Sequence, residues 1–294
     1  MSKASKAPPF MVLLMRAIKA RDFAEASGLI AGEVEQRGDS DWLWQRDRYG
    51  RTVFSLAGGA GIRDALDLFR PYGIRWDAWS AATWGEVPQL EAIAREASPP
   101  WSETLCYGTP LHWALTGGHE AAVRYLISDV GIDVAATDDG YVRSAVCGRN
   151  AEHLVPLLIE QGADVDWDAS ADTALQHQCN HGRTSHVALL IAHGADVNRP
   201  RKRDGRTSLH CAAATGVAGK LVRMLLDAGA DPDALDHAGN RPIDLARRAK
   251  RPTAARVLRE AEEQIAEMKR LSEMAGGDRA GWTFDRDEIH RHGR

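Results

Sequence analysis

The chain has 294 residues, 44% hydrophobic and 27% charged, with a formal net charge of −4. That apolar share is enough for a continuous core, and no segment reaches the 18 apolar residues that would mark a membrane span. The small net charge excludes a global field that demands nucleic acid or an anionic membrane, although 14 Lys/Arg face only 6 Asp/Glu between Arg199 and Arg259.

Residues 1–9 are polar and are expected to be flexible, and Phe10–Met15 is too short an apolar run for a secretory signal. A first helical pair is expected over 10–37. Leu13, Leu14, Ala17 and Ile18 mark one apolar face, Arg21-Asp22 the break, and Phe23, Leu29, Ile30 and Val34 the second helix. A recurring layout then begins. Thr109-Pro110-Leu111-His112-Trp113-Ala114 is echoed by Thr207-Ser208-Leu209-His210-Cys211-Ala212, with looser copies from Thr52, Trp76, Tyr141, Thr173 and Arg241. Successive starts lie 24, 33, 32, 32, 34 and 34 residues apart, giving units near 47–74, 76–98, 104–134, 139–166, 168–198, 202–233 and 236–262. The interval of 24 means that the turn between the units at 47–74 and 76–98 is missing or very short. Ser98-Pro99-Pro100-Trp101 makes a rigid connector. The unit at 139–166 is the most degenerate, with Tyr141-Val142-Arg143-Ser144 in place of the Thr-Pro-Leu-His run. A charged helix extends over 263–274, and 275–294 is expected to be disordered.

A period near 33 with a Thr-Pro-Leu-His-x-Ala core resembles the ankyrin repeat. The resemblance implies an all-α solenoid over 10–262, built of stacked helix-turn-helix units with short β-turn fingers. It gives Thr109, His112, Thr207 and His210 structural roles, tying the turn to the helix start. Thr as N-cap with Pro110 at the first helical position agrees with that. The glycine of Gly162-Ala163-Asp164, Gly194-Ala195-Asp196 and Gly229-Ala230-Asp231 is expected to end each outer helix at positive φ. The resemblance further implies a concave groove formed by finger tips and inner helices, where another macromolecule is held.

The free groove positions point to Trp84, Arg149, Asn180 and His181 as binding residues, with Trp101 and Tyr107 beside Trp84. An exposed Trp there is expected to be the anchor of the site. Trp76, Trp79 and Trp113 occupy framework slots and are read as core. Arg199, Arg201, Lys202, Arg203, Arg206 and Arg248 form a basic set that could meet a polyanion, against the plainer reading of a solvated finger. Cys147 and Cys179 share a slot in successive units, and with Cys106 and Cys211 they read as small buried thiols. No nucleotide loop or hydrolase motif is present, and His177, His181, His186 and Cys179 do not converge on a metal geometry. Asp166, Asp168 and Asp172 near His181 are the best acid/base candidates. The reading is therefore a protein-binding adaptor or inhibitor without cofactor, metal or catalytic residue, monomeric, off the membrane, and cytoplasmic (nuclear residence being the eukaryotic alternative). Two alternatives stay open: an enzyme or small-molecule-binding protein using the aromatic/His-lined groove, and polyanion binding through 199–259.

Overall fold

A computed structural model describes residues 10–46, 52–59, 62–96, 99–104, 108–135, 140–168, 172–215 and 217–274. Among these the chain is helical with no β-strand. It divides into two compact units, Met1–Ala163 and Asp164–Arg294.

The first unit opens with α1 (Phe10–Ala20) and α2 (Phe23–Arg37), broken at Arg21 by a left-handed backbone of φ 59°. Asp22 caps α2 by accepting the Glu25 N–H at 2.9 Å. A short 3-10 turn, Asp41–Trp44, leads to α3 (Val53–Gly59). The segment after α3 forms only two 3-10 turns, Arg63–Leu68 and Arg70–Tyr72, where Pro71 supplies no N–H to continue a helix. Then come α4 (Ala78–Trp84), α5 (Val87–Ala94), α6 (Pro110–Gly117), α7 (Glu120–Ser128), α8 (Tyr141–Cys147) and α9 (Ala151–Glu160). Helices α3, α4, α6 and α8 pack side by side as an inner row, and α5 and α7 pack against each other behind it. Only residues 73–77 join Tyr72 to α4, so no finger projects there. Leu14, Ile18, Ile30, Leu43, Phe54 and Phe69 are fully buried in the N-terminal core of this unit.

The second unit repeats the plan with α10 (Ala174–Asn180), α11 (Thr184–Ala192), α12 (Ser208–Ala213), α13 (Ala218–Asp227), α14 (Pro242–Arg248) and α15 (Pro252–Met274). Inner helices α10, α12 and α14 pack in sequence, and α11, α13 and α15 form the outer row. Gly162, Gly194 and Gly229 lie at φ 91°, 86° and 85°, the left-handed backbone that ends an outer helix without a side-chain penalty.

Inner helices start from reciprocal caps. The Thr109 N–H donates to His112 Nδ1 at 3.1 Å, and the Thr207 N–H donates to His210 Nδ1 at 3.2 Å. The third such box swaps the histidine for an amide: the Thr173 N–H donates to Gln176 Oε1 at 3.1 Å. The far nitrogens serve the next turn, with Gln176 Nε2 donating to the Arg199 carbonyl (2.6 Å) and His210 Nε2 donating to the Asn240 carbonyl (3.0 Å). Helix α8 lacks this device. Gly140 precedes it at φ 68° with no side-chain cap, and Tyr141 takes the threonine's slot with its ring 4.6 Å from His112.

Candidate functional site

Because the Thr–His and Thr–Gln boxes are turned inward, the side chains left for solvent lie at the end of each inner helix or just past it. In the first unit these are Thr116 in the last turn of α6, Cys147 ending α8 and Arg149 just past it, all exposed. In the second they are Asn180 ending α10 and His181 just past it, Ala214 after α12, and Arg247 and Arg248 at the end of α14. Asn180 Nδ2 donates to Asp172 Oδ2 at 3.1 Å, and His181 Nδ1 donates to the His177 carbonyl at 2.8 Å. The two imidazoles lie 4.3 Å apart, one helical turn along the same face. Arg248 Nη2 donates to Asn240 Oδ1 at 3.2 Å, and Arg251 Nε reaches the Ala214 carbonyl at 3.3 Å, linking successive repeats of the second unit. The Arg149 N–H donates to the Thr116 carbonyl at 3.3 Å.

Trp84 is not a groove residue. It is 3% exposed, its ring stacks on Phe54 at 5.2 Å, and its Nε1–H donates to the Phe54 carbonyl at 3.2 Å. Gly58 makes the slot: a Cβ there would sit 2.7 Å from the indole nitrogen. The expected anchor is thus core, and the aromatic-lined groove loses its central member. Trp79 is buried as expected, while Trp76, Trp101 and Trp113 are half-buried. Tyr107 and Cys106 lie outside the described residues.

The basic finger also differs from expectation. Arg201 is 4% exposed, with Nη1 2.9 Å from Asp172 Oδ1 and with Nε and Nη2 at 3.0 and 3.1 Å from the two oxygens of Asp204. Lys202 pairs with Asp168 at 2.6 Å, Arg199 with Asp168 at 3.8 Å, and Arg203 with Asp172 at 3.4 Å. Arg206 lies 3.6 Å from Asp204 and 3.5 Å from Asp236. Five cations therefore face four carboxylates, and the excess on the finger falls to +1 (5 − 4). The partners come from the preceding and following turns, so the charges that look crowded in sequence are interleaved in space. The same pairing occupies Asp168 and Asp172, while Asp166 accepts the Asp196 N–H at 2.9 Å. All three carboxylates are thus engaged in ion pairs or hydrogen bonds.

Burial sets the titration of the framework groups. It pushes the His210 imidazole below its ordinary range against a raising hydrogen bond to Asn240, so the ring stays neutral with its proton on Nε2. Burial alone would raise Asp236, but hydrogen bonds from the backbone and side chain of Asn240 and from the Ala238 N–H outweigh it and hold the carboxyl low. Burial pushes the Cys211 thiol up to about 12 and Cys179 well above its usual value. Cys147, expected to be buried, is exposed. Among the described residues no cluster of three or more His, Cys, Asp or Glu could hold a metal, and no helix is long and apolar enough to cross a membrane.

Two family models match the chain: Ankyrin repeats (3 copies) over residues 143–236 and Ankyrin repeat over 108–139. Similar curated proteins include the glycerophosphocholine phosphodiesterase GDE1 of Eremothecium gossypii, 28% identical over 201 residues. That match covers 67% of this chain and 14% of the relative. The Ankyrin repeat and SOCS box protein 11 of Danio rerio is 35% identical over 106 residues, covering 36% of this chain and 35% of the relative. The chain therefore spans only a minor part of these curated relatives. Among solved structures, a chain from the complex of the Bdellovibrio bacteriovorus predatory endopeptidase Bd0816 with immunity protein Bd3460 aligns at TM-score 0.52 and 21% identity. The alignment covers 63% of this chain and 98% of that one, a likeness of fold.

Proposed function

As this chain belongs to the ankyrin-repeat proteins, whose repeats are protein-interaction modules, we propose that it is an adaptor or inhibitor holding a protein partner on the exposed inner-helix row of the second unit. The observation that carries the reading is the division of labour among its polar side chains. Thr173, Gln176, Thr207 and His210 are buried in reciprocal caps, and the finger cations are matched by Asp168, Asp172, Asp204 and Asp236. Asn180 and His181 at the end of α10 and Arg248 at the end of α14 stand exposed, where the caps make no demand on them. Asn180 and His181 can both donate and accept hydrogen bonds, and the Arg248 guanidinium donates, so a partner's polar groups can be paired along this row.

Photo-crosslinking tests this. A photoreactive residue replacing Asn180 or Arg248 should yield a discrete protein adduct in lysate of the native host. One replacing Ser185 on the outer helix α11 should not. Adducts from position 185 alone, with none from 180 or 248, would place the partner elsewhere.

A further inference from the structure

On the opposite side of the second unit, α13 and α15 leave an open groove of about 570 Å³ lined by Gly219, Lys220, Arg223, Met224, Asp227, Thr253 and Val257. The helices approach closely at its head, where a Cβ on Gly219 would meet Thr253 Cγ2 at 2.6 Å. Lys220 and Arg223 stand on the α13 wall, exposed and with no ion pair among the described residues. This contrasts with the finger cations, every one of which meets a carboxylate.

The apolar lining does not stop where α13 ends. Thr253, Val257, Ala261, Gln264, Met268 and Leu271 are spaced 4, 4, 3, 4 and 3 residues apart, one face of the 23-residue α15. At 1.5 Å per residue that face runs about 27 Å. Its distal members are uncovered: Met268 is 38% and Leu271 55% exposed. A closing helix that served only to cap a stack would be polar on its outer side.

We propose that this groove and the stripe continuing it hold an amphipathic α-helix of a partner protein, apolar on one face and acidic on its flank. Helix-in-groove recognition needs a track of apolar anchors several turns long, which Met224 on α13 and Met268 and Leu271 on α15 supply, over a floor that includes the buried Val257. Methionine at two of these three positions suits such a surface, because its unbranched side chain adapts to the incoming anchors. Lys220 and Arg223 against the single carboxylate of Asp227 leave the groove lining net positive, which selects the acidic flank. The surface lies on the outer row, so it is independent of the inner-helix reading above.

The full chain is titrated with a labelled helical peptide of about 18 residues, leucines on one face and glutamates beside them, and with its twin carrying lysine for glutamate. The acidic peptide should bind saturably and the basic one should not. The double variant Lys220→Glu/Arg223→Glu should invert that preference, and Met268→Glu/Leu271→Glu should weaken binding about ten-fold, a loss of about 1.4 kcal/mol. All four positions are at least partly exposed, and circular dichroism checks that the variants remain folded. Equal binding of both peptides, no binding of either, or binding that both variants leave unchanged overturns the proposal. Binding seen only after removal of residues 275–294 assigns the groove to the chain's own tail, and a dimer dissociated by Leu271→Glu assigns it to a second copy. Either result overturns it as well.

Discussion

The guanidinium of Arg201 and the carboxylate of Asp172 meet at 2.9 Å across two successive turns of the second unit, with the arginine side chain 3% exposed. Asp204 closes the other side of the same guanidinium. Removing one member of a buried pair strands the other charge, so Arg201→Ala should cost about 3–5 kcal/mol. Lys202→Ala, whose partner bond is 77% exposed at the lysine end, should cost under about 1 kcal/mol. Urea denaturation of both variants compares them directly. Equal small losses would mean that the finger is not held by Arg201.

Trp84 fills the slot left by Gly58 and stacks on Phe54. Trp84→Ala should destabilise the chain by about 3–5 kcal/mol through lost packing and the cavity that remains. Gly58→Ala should destabilise it too, by pushing a methyl into the indole. A Trp84→Ala protein with unchanged melting temperature would return this residue to the surface.

His210 is neutral in the fold, with a pKa lowered by burial, whereas in the unfolded chain it titrates near its ordinary 6.5. The unfolded state therefore binds the proton more readily. The contribution to stability is complete above the unfolded value and is lost as pH falls through the lower, folded one. Gln176 performs the same two hydrogen bonds without a titrating group. His210→Gln should therefore keep the fold near neutrality and flatten the loss of stability on the acid side, read from denaturation midpoints across that range. An unchanged acid limb would place the pH dependence in other groups.

Native thiol labelling should separate the cysteines. Cys147 is exposed, while burial holds Cys179 and Cys211 in the thiol form, the latter with a pKa of about 12. In a Cys106→Ser background, mass spectrometry after brief iodoacetamide treatment should find the adduct on Cys147. Modification of Cys211 at a comparable rate would show that α12 opens readily.

The capping boxes were legible because they are local: threonine and the residue three positions on suffice to place a helix start, and the Gly-Ala-Asp runs to place an ending. The burial of Trp84 was not, since it depends on a hole at Gly58, 26 positions earlier, and on the Phe54 ring it stacks against. The finger cations misled for a related reason. Counting charge along the chain keeps Arg199–Arg206 together and hides Asp168, Asp172 and Asp236, which reach them from the turns on either side. In a stack of repeats the neighbours that settle a side chain's role lie about one period away. Asn180, His181 and Arg149 are exposed at the helix ends, where the local repeat pattern places them.

The central claim is that the exposed row after the inner helices of the second unit, and not the caps or the finger, holds a partner protein. Its most direct measurement is the affinity of the cross-linked partner, once purified, for the His181→Ala/Arg248→Ala double variant by titration calorimetry, with the melting temperature recorded alongside. The account predicts at least about a ten-fold loss of affinity, about 1.4 kcal/mol, with the melting temperature unmoved. Full affinity in the folded double variant would contradict it.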